Sequence, residues 1–325
     1  MASRAHSLLI VSPSPLADTV HGLQLSAALK AQCDGLKISW IARDLFAPLV
    51  RLSTAVDRVY GFERTGGAKG FLRLVREVRQ TTFDYVFDLQ GLLRTGLLTS
   101  RVAGKRKVGR TDARELAGLF YHEKVPLPPA GRRSHELEIL LQFCPVLGAK
   151  PEWRGPLTFR SGDTFTLKFA EGRGGTKPIV MFPDSRRVER SWTGFKQLTE
   201  LILRSDRTRK VIWAGGTPVA DRGSFQREQF LNLTGNTSLV SLPALIGRAD
   251  WIISNDNGPM HLAAALGVPT VGIFGPTNPE VSGPYPLTAP NHVIVQAPAG
   301  ELKLLPAREV FARWQRAQAR REKAG

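Results

Sequence analysis

Ile252–Pro279 reads IISNDNGPMHLAAALGVPTVGIFGPTNP, and this stretch decides the fold. An apolar run ends at Ser254. Asn255, Asp256, Asn257 and Gly258 make a turn, and Pro259 suits a first helical turn, where its missing N–H costs nothing. Met260–Leu266 then reads as a helix and Thr270–Phe274 as a second buried strand, which runs into the loop Gly275-Pro276-Thr277. Strand, helix and strand in this order imply a parallel pair joined by a right-handed crossover. Free backbone N–H groups and the positive end of the helix dipole at such a start favour an anion. Asp256 would contact a ligand there or hold the turn. His261, one helical turn in, would lie at the same end or sit as a half-buried, satisfied histidine.

The same alternation extends in both directions. Leu8–Ser12 is a short strand ending in Ser12-Pro13-Ser14-Pro15, and Val20, Leu23, Leu25, Ala28 and Leu29 mark the apolar face of a helix. Lys37–Ala42 and Asp57–Tyr60 read as strands, Phe71, Leu72, Val75 and Val78 recur at helical spacing, and strand Phe83–Leu89 precedes a helix over Leu92–Val102. Proline and glycine accumulate from Cys144 to Gly162, which marks a domain boundary near residue 155. Beyond it, strands over Pro178–Phe182, Lys210–Ala214 and Trp251–Ser254 alternate with helices over Gly194–Leu203 and Ser241–Ile246, and Pro306–Arg320 is a closing helix. The expectation is an α/β protein of two Rossmann-like domains with parallel sheets, residues 1–155 and 156–325, facing each other across a cleft. Ligands would bind outside the carboxyl ends of the strands.

Composition narrows the function classes. A hydrophobic content of 42% in 325 residues suits a globular chain. Leu8–Val11 is too short for the apolar core of a signal peptide, and no apolar run is long enough to span a bilayer. Cys33 and Cys144 are the only cysteines, which fits two core thiols in a reducing, cytoplasmic setting and gives no metal-ligand spacing. Lys and Arg outnumber Asp and Glu by 45 to 28, a net charge of +17. Such an excess attracts polyanions. Its dense clusters are Gly104–Arg110 (GKRKVGR), Arg132–Arg133, Arg186–Arg190 and the tail Arg313–Lys323; a solvated surface is the plainer reading of the tail.

Taken with its downstream loop, Ile252–Pro279 closely resembles a signature of the bacterial heptosyltransferases, glycosyltransferase family 9. Leu8–Leu29 (LLIVSPSPLADTVHGLQLSAAL) is similar to that family's opening strand, loop and helix, and Phe83–Leu98 (FDYVFDLQGLLRTGLL) to its strand-Gln-Gly-helix segment. Ala113–Tyr121 (ARELAGLFY) and Tyr285–Leu302 resemble in particular the branch that adds the first heptose to the lipopolysaccharide inner core. The resemblance implies a GT-B fold, with the acceptor in the N-terminal domain and ADP-heptose mainly in the C-terminal one. The final helix would pack back on the N-terminal domain. It also implies an inverting transfer to the Kdo region of a lipid A precursor.

By the same resemblance Asp18 is the catalytic base, against a plainer reading as a helix cap. The family has Gly before this Asp where this chain has Ala17; a positive φ there would strain an alanine. Phe182–Trp192 (FPDSRRVERSW) matches the family's donor-phosphate loop: Ser185 and Arg186 take its hydroxyl positions and Arg190 its Lys position, while Asp256, Asn257, Gly258 and His261 complete the donor side. A solvated basic turn is the plainer reading of that loop. Gln90 and Arg114, with the basic stretch Lys105–Arg110, would face an anionic acceptor. No Asp-x-Asp metal signature occurs at a strand end, so the expectation is no metal and no cofactor, with ADP-heptose as substrate. The partners implied are a nucleotide-diphosphate sugar, a Kdo-lipid A acceptor and the anionic cytosolic face of the inner membrane, touched peripherally.

Other readings remain open. The chain could use another donor or acceptor within the family, or bind nucleotide sugar without catalysis. A nucleotide-sugar epimerase shares the architecture but needs no acceptor segment. A nucleic-acid binder fits the charge but lacks any aromatic-basic motif, and a dinucleotide oxidoreductase would need a GxGxxG turn that is absent.

Overall fold

The computed structural model describes residues 6–160, 177–184, 188–220 and 225–324. The chain divides into two compact units, 1–160 and 161–325.

In the first unit the strands are β1 (Ser7–Ser12), β2 (Lys37–Arg43), β3 (Arg58–Phe62), β4 (Phe83–Asp88), β5 (Gly104–Arg110) and β6 (Glu123–Val125). Its helices are α1 (Leu16–Gln32), α2 (Ala47–Leu52), α3 (Gly67–Val78), α4 (Leu93–Arg101) and α5 (Glu136–Leu141). The sheet runs β3-β2-β1-β4-β5-β6, every pair parallel. Alternate residues of β1 explain its double burial. Leu9 and Val11 join Leu74, Val75 and Val78 of α3 and Leu98 of α4 in one core, while Leu8 and Ile10 are buried on the opposite face. A parallel strand covered on both sides reads as a continuous apolar run for this reason. On the second face α5 packs against α1.

The second unit repeats the plan. Its strands are β7 (Ile179–Phe182), β8 (Val211–Gly215), β9 (Phe230–Thr234), β10 (Trp251–Asn255), β11 (Thr270–Phe274) and β12 (His292–Gln296). Its helices are α6 (Phe195–Ser205), α7 (Leu242–Gly247), α8 (Gly258–Ala265), α9 (Pro279–Ser282) and α10 (Ala307–Ala324). The parallel order β12-β11-β10-β7-β8-β9 is the same doubly wound arrangement, with the direction of winding reversing between β7 and β10 as it does between β1 and β4. These are the two Rossmann-like sheets expected from the alternation of strands and helices.

Two basic segments are also built into the fold. GKRKVGR is β5, held between β4 and β6 with Lys105 and Arg106 still exposed. Its strand pattern was masked because only Val108 is a large apolar residue, and charge partners neutralise much of the rest: Lys105 to Asp84 at 2.7 Å and Arg106 to Glu123. The terminal helix is not simply a solvated tail. Val310 and Trp314 of α10 enter the core of the second unit, and the helix packs on α6 and β12. Arg321 pairs with Asp250. The apolar face of this helix is therefore spent on its own unit. Among the described residues no helix is long and apolar enough to cross a membrane.

Candidate functional site

In the first unit the chain reverses direction around the carboxyl ends of β1 and β4, the position where an open parallel sheet leaves a crevice. A cavity of about 320 Å³ lies there, lined by the loop after β1, the start of α1, the turn after β4, the end of β5 and the first turns of α5. Pro15 starts α1 without a side-chain cap, and Asp18 stands in the first turn, directed to the cavity instead of capping. Ala17 is helical; among the described residues only Glu115, Leu116 and Ala299 are non-glycine residues with positive φ. The loop thus needs no glycine before Asp18, and the strain expected of Ala17 does not arise.

The electrostatics of Asp18 are unusual for a carboxylate. Its side chain reaches solvent through the mouth of the cavity, yet protein surrounds it closely. Desolvation, and then the negative charge of Glu136, push its pKa up to about 6 against the opposing pull of Arg110. Arg110 is the centre of this polar wall. Its guanidinium makes a fork with Asp112, Nε to Oδ1 at 2.9 Å and Nη2 to Oδ2 at 3.1 Å, and donates to Glu136 Oε1 at 2.7 Å. Burial opposes its charge, but Asp112 and Glu136 outweigh that and hold its pKa above the ordinary arginine value. Arg132 also reaches Asp112, at 3.3 Å.

The opposite wall is the Gln90-Gly91 turn. Buried Asp88, at the end of β4, accepts from both Gln90 N and Gly91 N at 3.0 Å through Oδ1, and from the Tyr121 hydroxyl at 2.8 Å through Oδ2. Gly91 adopts φ +66°, a conformation that favours glycine. The Gln90 side chain is held at both ends: its amide donates to Ser14 Oγ at 3.2 Å, and its carbonyl accepts from Arg94 at 3.2 Å. Gln90 is thereby a strut between the loop after β1 and α4. Arg114 is fixed by its backbone, whose N–H donates to Gly91 O at 2.8 Å, and its exposed side chain lines the cavity. Asp18, Gln90 and Arg114, distant in sequence, meet here. Of Lys105–Arg110 only Arg110 lines the cavity. Asp112, Glu136 and Ser14 line it too, and sequence reading passed over them because no motif marks them; the alternating position of Arg110 at a strand end was the one available signal.

The second unit assembles a polar edge at the ends of β7 and β10. Asn255 accepts from Trp192 N at 3.1 Å and donates to Pro183 O at 3.0 Å, which ties the two strand ends together. Asn257 caps α8: its Oδ1 accepts from Met260 N at 3.4 Å and from Ser254 Oγ at 2.7 Å, and its amide donates to Asp184 O at 3.1 Å. Gly258 opens the helix. Arg190 contacts buried Asp256 at 2.9 Å, and His261 Nε2 lies 3.9 Å from the other oxygen of the same carboxylate. Arg190, Asp256, Asn257, Gly258 and His261 are thus gathered at one helix start, with Asp256 and His261 themselves buried. Asp184, not singled out from sequence, accepts from Thr217 N at 3.2 Å. Ser185 and Arg186 lie outside the described residues. No group of three or more His, Cys, Asp or Glu side chains able to hold a metal occurs among the described residues.

Comparison with known proteins gives the family and the fold. Residues 71–305 match the family described as glycosyltransferase family 9 (heptosyltransferase). A lipopolysaccharide heptosyltransferase 1 from Escherichia coli is 27% identical over 321 residues, covering 93% of this chain and 95% of that protein. Among solved structures, the E. coli heptosyltransferase WaaC with ADP superposes with a TM-score of 0.78 at 24% identity, covering 96% of this chain and 99% of the other. A family 9 glycosyl transferase from Veillonella parvula gives 0.81 at 19% identity, covering 98% of each.

Proposed function

The chain belongs to glycosyltransferase family 9, and on that premise we propose that it moves a heptose from ADP-heptose to the Kdo region of a lipopolysaccharide precursor with inversion at the anomeric carbon. The first unit takes the acceptor and the second the nucleotide sugar. The observation that carries the reading is Asp18: a carboxylate with pKa about 6, in a cavity lined by Arg114 and by Arg110 and Arg132, which are paired with Asp112 and Glu136. A base needs a pKa near the working pH, and an acidic acceptor needs cations around it. In the transfer an acceptor hydroxyl oxygen bonds to the anomeric carbon while that carbon's bond to the diphosphate oxygen breaks. Asp18 accepts the hydroxyl proton, and ADP leaves with the electron pair.

On the donor side the start of α8 offers the Gly258 N–H and a positive dipole end to the diphosphate, and half-buried Arg190, held by Asp256, is the proposed cation. Ser185 and Arg186 belong to the same proposed donor loop. Buried His261 acts through Asp256. The relatives' names support the donor and acceptor: they are lipopolysaccharide heptosyltransferases, and one solved neighbour carries ADP-2-deoxy-2-fluoro heptose. The protein would work at the cytosolic face of the inner membrane, without a metal.

The test is to incubate purified protein with ADP-heptose and Kdo-modified lipid A, Asp18→Ala alongside, and look by mass spectrometry for one added heptose. Transfer by the wild type and none by a folded variant upholds the reading. ADP-heptose binding without transfer would indicate another acceptor or a non-catalytic member, and no binding would indicate another donor.

A further inference from the structure

Four of the seven exposed large hydrophobic side chains among the described residues stand on or beside two touching elements of the first unit. Leu93 and Leu97 stand one turn apart on α4, 40% and 37% exposed; Leu116 precedes and Leu119 lies within the adjoining 3₁₀ turn Ala117–Phe120, 73% and 75% exposed. The two elements touch at Gly96, where an added Cβ would lie 2.7 Å from the Phe120 ring and 3.1 Å from Ala117. Single exposed leucines are ordinary; four on two packed elements form a patch.

The backbone holds this patch at a cost. Glu115 and Leu116 both have positive φ, 55° and 64°, and Glu115 accepts from Leu93 N at 3.2 Å, which joins the two halves. A left-handed leucine that is 73% exposed presents an apolar side chain to solvent in a conformation that leucine disfavours.

The surroundings indicate what covers it. Exposed Arg94 and Arg101 lie on α4, Arg101 one turn beyond Leu97; Arg114 precedes the turn, and the Lys124 ammonium lies beside Gly118, so that four cations stand against the exposed carboxylate of Glu115. Leu92, Ala113 and Arg114 line the cavity of Asp18, so the patch begins where the cavity ends. Leucines inside a basic rim complement an anionic bilayer, whose headgroups attract the cations and whose acyl boundary accepts the apolar side chains.

We infer that Leu93, Leu97, Leu116 and Leu119, rimmed by Arg94, Arg101, Arg114 and Lys124, form a docking surface for an anionic lipid leaflet. It seats the protein with its acceptor cavity against the membrane. This rests on the proposed lipid acceptor and specifies how such an acceptor would be reached without extraction from the leaflet.

The experiment is cosedimentation of the full chain with phosphatidylethanolamine–phosphatidylglycerol vesicles and with pure phosphatidylcholine vesicles. The variants are the pairs Leu93→Gln/Leu97→Gln and Leu116→Asn/Leu119→Gln, singly and combined; asparagine tolerates the left-handed backbone at 116. Transfer to a delipidated Kdo oligosaccharide and ADP binding are measured in parallel. The wild type should bind the anionic vesicles, less at high salt, and the combined variant at least about tenfold more weakly, with each pair intermediate. Soluble-acceptor turnover should stay at the wild-type level. Equal vesicle binding by wild type and variants overturns the inference, as does no binding by the wild type. A wild-type dimer that the variants convert to monomers overturns it in favour of a second copy of the chain. Leucine-dependent vesicle binding by a protein that transfers nothing upholds the docking surface and sinks the proposed activity instead.

Discussion

At the scale of single residues, the environment of Asp18 converts a helix-start aspartate into a candidate base. Glu136 raises its pKa and Arg110 lowers it, so two substitutions should move the pH dependence in opposite directions. With Asp18 acting ionised, kcat/KM should rise with pH through about 6. Glu136→Gln should lower that midpoint and Arg110→Gln raise it, as read from pH–rate profiles; shifts of the same sign would sink the assignment. The sign for stability is opposite to that of an ordinary paired carboxylate. A folded pKa above the unfolded one contributes stability at low pH, and that stability is lost as pH rises through about 6. Asp18→Asn should therefore melt no lower than the wild type at neutral pH while losing transfer. Ala17 was readable as a departure from the family, but its backbone was not: only the fold shows that position inside α1, where alanine is favoured.

Between residues and the whole chain, two elements bear the testable weight. The Gln90-Gly91 turn hangs on Asp88, whose pKa burial raises, while its bonds to Gly91, Tyr121, Thr95 and Gln90 pull it down. Tyr121→Phe leaves a buried carboxylate short of one donor and should cost about 1–3 kcal/mol in urea unfolding. Because the turn also positions Gln90, KM for the acceptor should rise more than kcat falls. The second element is α10. Trp314 is buried against the core of the second unit, so Trp314→Ala should cost about 3–5 kcal/mol by the same measurement. A near-neutral effect would contradict the docked helix. The amphipathic pattern of α10 was legible from sequence, but which surface it covers was not, since periodicity gives a face and no partner.

For the whole molecule, two sheets of identical winding each place their polar loops at the reversal of strand order. Saturating ADP-heptose should stabilise the fold through mass action, by roughly 2.7 kcal/mol at a hundred times Kd, and so raise the melting temperature. Cations for the leaving diphosphate are proposed to come from arginine and a helix start, so transfer should persist in excess chelator. Full loss on EDTA with recovery on Mg²⁺ would require a metal-assisted route.

The sequence by itself determined the alternation of strands and helices, the two-sheet α/β class and the turn at Asp256–Gly258, and its motifs resembled those of the family. The first three follow from local rules: apolar period, proline and capping geometry. Tertiary structure alone decided that GKRKVGR is a strand, that Arg110 leaves it to organise Asp112 and Glu136 beside Asp18, and that the segments carrying four exposed leucines touch. Those facts depend on which strand lies beside which and on which helices touch. Contacts between residues distant along the chain leave no periodic trace in it.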